Sequence, residues 1–244
     1  MPARTIRIRS VDTNPVSFPN RLLSRPLSPA DRFAKCATVV TQLYSVHLDR
    51  GTPLVAKTSW VRFIPTEMTE APVFSAVPAD ASLGLGEVHE VPYDRKVLDL
   101  PDPERRAAIL DWLQANLISL AEALGWDRAP LTEAYESCRR DELRFRQRGA
   151  AKTSPDRQHK AYPEFEIDGD GDGWSWVVVT DPRGAVEAES DRRDSLPTAT
   201  AAGRVLKSLR WDGDTVTWTP WTDDVAPRGH DSWVGHVERF AAPR

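Results

Sequence analysis

The chain has 244 residues, of which 40% are apolar, with nine tryptophans and a formal net charge of −4 at pH 7. This length and composition allow a substantial core, which excludes a disordered polypeptide, and no apolar run approaches the roughly 20 residues of a membrane-spanning helix. Two cysteines are too few for a disulfide scaffold, and the N-terminal MPARTIRIRS lacks the apolar segment of a secretory signal. Arginine far outnumbers lysine, which indicates a GC-rich, bacterial genome. We therefore predict a cytoplasmic bacterial protein without a membrane anchor.

The first part of the chain predicts two strands and one helix. Ile6 and Ile8 alternate with arginines, which is the period of a half-exposed strand. A helix is predicted from the capping residue Ser28, which is followed by proline, to the stop at Gly51. The next segment, PLVAKTSWVRFIP, alternates as one further strand.

Two more helices are predicted before residue 150. One begins at Asp102, carries leucine and isoleucine at helical spacing on one face, and ends at Gly125. The other is predicted from Thr132 to Arg148, where arginines recur at every fourth position.

The composition changes at GAAKTSPDRQHKA, residues 149–161, which is typical of a linker. Beyond it the apolar period changes from 3.6 to 2 in several strand-like segments, and six of the nine tryptophans lie in this part of the chain. We predict an α+β fold with a helix-rich portion over 1–150, a linker over 151–161 and a Trp-rich antiparallel β meander over 162–244. The two portions are either separate domains or one packed unit.

The most distinctive motif is FEIDGDGDGW, in which Asp168, Asp170 and Asp172 alternate with glycines. The spacing matches the first half of an EF-hand calcium loop, but the twelfth position is Val179 instead of a bidentate glutamate. A divalent cation held against phosphate is another interpretation, although the preceding strand is polar. We favour a hairpin turn, because Asp-Gly is a strong hairpin signal and residues 212–213 repeat it between two strands. No cofactor is expected, and only weak Ca²⁺ or Mg²⁺ binding at these three carboxylates is left open.

A basic segment covers the predicted third helix and the linker. Its cations could contact nucleic-acid phosphates, and each neutralised phosphate would release counterions. The same arginines can also pair with acids on their own helix, which is typical of a solvated face. The candidate nucleic-acid-binding residues are Arg139, Arg140, Arg144, Arg146, Arg148, Lys152, Arg157 and Lys160.

Catalytic motifs are scarce. There is no G-x-S-x-G elbow and no cysteine in a recognisable catalytic context. Glu87 with His89, and His236 with Glu238, each place an acid and a histidine on one strand face. Without a third ligand, chance explains these two pairs better than a metal or hydrolytic site.

Trp174 and Trp176 share one strand face, which is typical of a β core or, where exposed, of a partner-binding site. A well-patterned fold without a catalytic set favours a non-enzymatic cytoplasmic protein that binds another protein, of unknown identity. It would act as an adaptor, a structural subunit of a complex, or an inhibitor or immunity-type protein. The first alternative is a divalent-cation-dependent phosphotransfer or hydrolytic enzyme that uses the aspartate cluster. The second is a nucleic-acid-binding module that uses the basic helix and linker.

Overall fold

The computed structural model describes residues 6–13, 27–67, 74, 86–223, 233–235 and 237–243. These residues divide into two compact units. The first contains the described residues up to 145 together with 169–171, and the second contains 146–168 and the described residues from 172 onward. Three of the four helices in the described part of the chain lie in the first unit, and antiparallel strands dominate the second. The predicted α+β class, with helices concentrated first and a Trp-rich antiparallel portion after them, is confirmed.

The first unit combines a parallel sheet with three helices. Strands β2, β4 and β5 form the parallel sheet, and β1 pairs with β3 in a separate antiparallel ladder. Helix α1 connects β2 to the later strands and packs on β2, as parallel strands require a crossover connection. The elements are β1 (Ile6–Ile8), β2 (Ser10–Thr13), α1 (Pro29–Arg50), β3 (Leu54–Ala56), β4 (Trp60–Thr66), β5 (Glu87–Pro92), a 3-10 turn (Arg95–Asp99), α2 (Asp102–Leu124) and α3 (Ala129–Arg140).

Local capping signals account for helices α1 and α2. The Ser28 hydroxyl accepts a hydrogen bond from the Asp31 amide at 3.1 Å at the start of α1, as the sequence predicts. Helix α2 ends at Gly125, whose left-handed backbone (φ +69°) brings its amide to the Ala121 carbonyl. The buried faces of both helices supply the core of the unit. In the described part of the chain, no helix is long and apolar enough to cross a bilayer.

The predicted third helix is wrong in its second half. Helix α3 ends at Arg140, and the chain turns through Glu142 and Leu143, both with left-handed backbone (φ 53° and 56°). The segment that follows is an extended strand. The reason is burial, because Leu143 and Phe145 are buried while the arginines between and after them are exposed, and this alternation has period 2. The predicted single strand over residues 53–65 is also interrupted, at residues 57–59 between β3 and β4.

The second unit is built on a six-stranded sheet in the order β10-β9-β8-β6, with β11 on β9 and β7 on β8. Further small sheets pair β12-β13-β16 and β14-β15. The range predicted as a linker, 151–161, contains β7 and the start of β8. The elements are β6 (Phe145–Arg148), β7 (Lys152–Thr153), β8 (Lys160–Ile167), β9 (Gly173–Thr180), β10 (Val186–Glu189), β11 (Arg193–Ser195), α4 (Ala199–Ser208), β12 (Arg210–Asp212), β13 (Thr215–Trp218), β14 (Trp221–Asp223), β15 (Trp233–Gly235) and β16 (Glu238–Ala241).

Strands β8 and β9 form the hairpin that the Asp-Gly motif predicts. Their register runs from Lys160 opposite Thr180 to Ile167 opposite Gly173, and residues 168–172 make the turn. The second Asp-Gly pair likewise joins β12 to β13, with Gly213 in the left-handed region (φ +64°). Both hairpin predictions are confirmed. The odd-numbered positions of β8 and β9 are buried, and α4 packs against β8.

Candidate functional site

The even-numbered positions of β8 and β9 carry an unusual set of side chains. Opposite residues in an antiparallel ladder lie on the same face, so the register places Tyr162 beside Val178 and Glu164 beside Trp176. Arginines from β6 and from the segment before β11 lie over these residues. We call this surface the arginine–aromatic face, and it consists of Arg146, Arg148, Tyr162, Glu164, Glu166, Trp174, Trp176 and Arg192.

Glu164 is the centre of the face. Its side chain is 2% exposed, and its two oxygens are divided between two arginines. Arg146 donates from Nε to Oε2 at 2.6 Å, with a terminal nitrogen 2.5 Å from the same oxygen. Arg148 donates from Nε at 3.1 Å and from Nη2 at 3.0 Å to Oε1. Burying a carboxylate is costly unless it is paired and hydrogen-bonded, and the two guanidinium groups meet both conditions.

The guanidinium groups also cover the aromatic rings. The Arg148 guanidinium carbon lies 4.1 Å from the Tyr162 ring centroid. Those of Arg146 and Arg192 lie 5.1 Å and 4.3 Å from the Trp176 centroid. Cations over aromatic faces at such distances are attracted by the ring quadrupole. Tyr162 and Trp176 are consequently buried, although they belong to a sheet face with charged residues.

The arginines themselves stay accessible. The side chains of Arg146, Arg148 and Arg192 are 52%, 61% and 52% exposed. Arg192 donates to Glu166 at 3.0 Å. The face therefore contains three positively charged arginines and two negatively charged glutamates. A guanidinium has five N–H donors and no acceptor, and Arg146 and Arg148 each direct Nε and one terminal nitrogen to Glu164. The face therefore presents fixed N–H donors to the solvent.

The predicted interface residues have different positions on this face. Trp176 lies beneath two arginines and is 2% exposed. Trp174 is half-buried, and its indole N–H donates to Asp168 Oδ2 at 2.7 Å. Sequence reasoning found the shared tryptophan face but not Tyr162, Glu164 or Arg192, for which the signal is the alternation along YPEFEI opposite WSWVVV.

The described contacts of Asp168 and Asp170 are with different partners. Asp168 accepts hydrogen bonds from the Asp172 amide at 2.9 Å and from Trp174, which stabilises the turn. Asp170, which groups with the first unit, is 74% exposed and accepts from Arg105 at 2.9 Å. Among the described residues, no group of three or more histidine, cysteine, aspartate or glutamate side chains has an arrangement that could hold a metal ion.

The predicted nucleic-acid-binding residues are spread over both units. Arg139, Arg140 and Arg144 belong to the first, and the other five belong to the second. Several of these residues already form an ion pair or a hydrogen bond within the chain. Arg144 lies 3.4 Å from Glu142, the Lys152 ammonium donates to the Leu209 carbonyl at 2.6 Å, and Lys160 donates to the Pro182 carbonyl at 2.9 Å.

One acid–histidine pair is formed within the first unit. His89 Nε2 lies 3.4 Å from Glu87 Oε2 on β5, and both side chains are largely buried. Burial lowers the pKa of His89, and the neighbouring Glu87 carboxylate opposes that effect. His236, the predicted partner of Glu238, lies outside the described residues.

The cysteines are buried, and burial raises the pKa of both thiols, to about 12 for Cys138. A raised pKa disfavours the thiolate, which is the nucleophilic form. Comparison with known proteins gives no functional lead, since no protein-family model, curated protein or solved structure matches the chain. Functional inference therefore depends on the chemistry of the residues described above.

Proposed function

We propose that the protein acts by binding another protein, and that the arginine–aromatic face is its contact surface. The observation that carries this proposal is the pair Arg146 and Arg148, held by a buried Glu164 and stacked on aromatic rings while more than half exposed. Arginine is one of the residue types that dominate binding energy at protein interfaces. Side chains already fixed in place lose less conformational entropy on binding than free ones do.

The chemistry of the face defines the partner. Exposed guanidinium groups offer only donors, so they pair with an acceptor-rich surface, and their fork matches a carboxylate in bidentate geometry. A partner segment rich in aspartate or glutamate fits this requirement. The role as adaptor, complex subunit or inhibitor depends on which protein carries that segment.

Nucleic-acid binding is less well supported. Phosphate binding gains its free energy from cations whose charge is available to displace counterions. The candidate residues are divided between the two units, and Arg144, Lys152 and Lys160 already have partners within the chain. The cation-dependent enzyme is the other alternative, and titration with Mg²⁺ or Ca²⁺, followed by tryptophan fluorescence, tests it.

Affinity purification of the tagged protein from its native host tests the main proposal. The informative variant is Arg146→Gln/Glu164→Gln/Arg148→Gln, which removes both exposed charges without leaving the buried carboxylate unpaired. The matched control is Arg157→Gln/Arg183→Gln, which removes two exposed arginines of the same unit.

We expect a stoichiometric protein partner with the wild type and the control, and at least a tenfold loss with the triple variant. Retention of the partner by a folded triple variant, or absence of any stoichiometric protein partner, would contradict the proposal. Recovery of nuclease-sensitive material in place of a protein would favour the nucleic-acid alternative.

A further inference from the structure

A cleft of about 740 Å³ lies in the second unit. Its walls come from the loop between β7 and β8, the turn after β9, strand β10, the β12–β13 turn and the residues after β16. The volume falls within the roughly 300–1,000 Å³ of small-molecule sites. None of the lining residues belongs to the arginine–aromatic face, so the cleft is a separate feature of the unit.

One wall of the cleft is an indole. Trp211 is half-buried, and its N–H donates to the Lys152 carbonyl at 2.9 Å, which fixes the orientation of the ring. Pro155, Pro182 and Pro243 add apolar surface around it. A fixed indole with proline neighbours provides contact for an apolar stem, and an indole is also the best aromatic partner of a cation.

The cleft contains an ordered histidine–carboxylate pair. His159 Nδ1 lies 2.7 Å from Glu187 Oε2, and the His159 side chain is 16% exposed. The backbone around His159 is held by Ser154, whose hydroxyl accepts from the His159 amide at 3.0 Å. A carboxylate on one ring nitrogen orients the ring and leaves the other nitrogen as its remaining polar atom.

The charge of the cleft is negative. Hydrogen bonds from the Ser154 hydroxyl and the Gln158 amide lower the pKa of Asp156, which keeps that carboxylate ionised. Asp214 and Glu187 contribute two more carboxylates. No described lining residue is lysine or arginine, and Lys160, which donates to the Pro182 carbonyl, offsets part of this charge.

From this combination we propose that the cleft binds an organic cation, an ammonium or guanidinium group on an apolar stem. The stem would lie against Trp211, and the charged end would be held by the carboxylates of Asp156 and Asp214. Such a cationic group could belong to a basic side chain of a peptide or to a free alkylamine. The inference does not depend on the proposed function, because it uses different residues.

The experiment is a titration of the ¹⁵N-labelled protein, followed through the indole N–H signal that disappears in Trp211→Phe. The probes are Nα-acetyl-lysine amide, butylamine and the neutral Nα-acetyl-norleucine amide. The test variant is Asp156→Asn/Asp214→Asn, in which each asparagine keeps one acceptor oxygen for the local turn. The matched control is Asp191→Asn, whose 86% exposed side chain lies outside the cleft lining.

We expect a saturable shift of the Trp211 signal with a cationic probe and none with the norleucine amide. The affinity should fall about tenfold in Asp156→Asn/Asp214→Asn, because two exposed ionic contacts are lost. It should also fall as salt is raised and stay unchanged in Asp191→Asn.

A response to the lysine amide alone assigns a peptide side chain, and a response to butylamine alone assigns a free amine. An equal response to the norleucine amide, no saturable response to either cation, or an unchanged affinity in the double variant would each overturn the proposal.

Discussion

Replacing Glu164 with glutamine removes the charge that holds Arg146 and Arg148 in place. Glutamine keeps one acceptor oxygen, so one arginine retains an acceptor while the other faces an amide donor. A hydrogen bond to a charged group contributes about 1.5–3 kcal/mol, but both arginines are more than half exposed and can rehydrate. We therefore expect Glu164→Gln to lower the free energy of unfolding by about 2 kcal/mol.

The effect of Glu164→Gln on the free energy of unfolding should have the opposite sign when the arginines are absent. In Arg146→Met/Arg148→Met the buried carboxylate has lost both guanidinium partners, and breaking a buried pair costs about 3–5 kcal/mol. Adding Glu164→Gln to that background replaces a buried charge with a neutral amide. It should restore part of the lost stability, because burying a neutral amide costs less.

Urea unfolding followed by far-ultraviolet circular dichroism measures all four corners of this double-mutant cycle. If Arg146→Met/Arg148→Met fails to fold, folding of Arg146→Met/Arg148→Met/Glu164→Gln would show equally well that Glu164→Gln is stabilising in that background. Glu189→Gln, an exposed glutamate on β10, is the control and should change stability by less than about 0.5 kcal/mol. An equal loss from Glu164→Gln in both backgrounds would refute the assigned coupling.

Two further predictions concern the first unit. Glu142 and Gly125 both have left-handed backbone, which glycine adopts without strain. In urea titrations, Glu142→Gly should raise the free energy of unfolding by about 0.5–1 kcal/mol, and Gly125→Ala should lower it by about 1 kcal/mol. A lower free energy of unfolding in Glu142→Gly would contradict this. Burial lowers the pKa of His89 from 6.5, so the unfolded chain takes up that proton first as the pH falls. Stability should decline as the pH drops below about 6.5 and level off below the folded-state pKa, and His89→Gln should flatten that part of the profile.

The helices that the sequence predicts correctly are those with local end signals. Ser28 begins α1 and Gly125 ends α2 through contacts with residues only a few positions away. The two Asp-Gly hairpins belong to the same class, because the turn depends on two adjacent residues. Such elements can be predicted from a window of the sequence.

The end of α3 depends on contacts at a distance. Neither Glu142 nor Leu143 is a residue type that signals a left-handed turn, yet both adopt one. Burial of Leu143 and Phe145 decides the conformation. The alternation with the arginines is typical of a strand, but arginines at every fourth position fit a helix equally well, so the pattern alone does not distinguish the two.

The arginine–aromatic face, too, could be predicted only in part from the local sequence pattern. The pairing of Trp174 and Trp176 on one face follows from the strand period alone. The position of Glu164 beside Trp176 depends on the β8–β9 register, and the cover by Arg146 and Arg148 depends on β6 being a strand. A prediction that placed these arginines on a helix therefore could not assemble the face.

The energetics of Glu164 also bear on why such a face would exist. Replacing a buried ion pair with apolar residues of similar volume is often neutral or stabilising, so a buried carboxylate between two arginines is weak evidence for a stabilising role. An apolar side chain at that position would cover Tyr162 and Trp176 without any charge. What it would not provide is two guanidinium groups held at a fixed spacing with donors exposed to the solvent. Under the proposed function, recognition of an acceptor-rich partner would use that property, whereas folding stability does not require it.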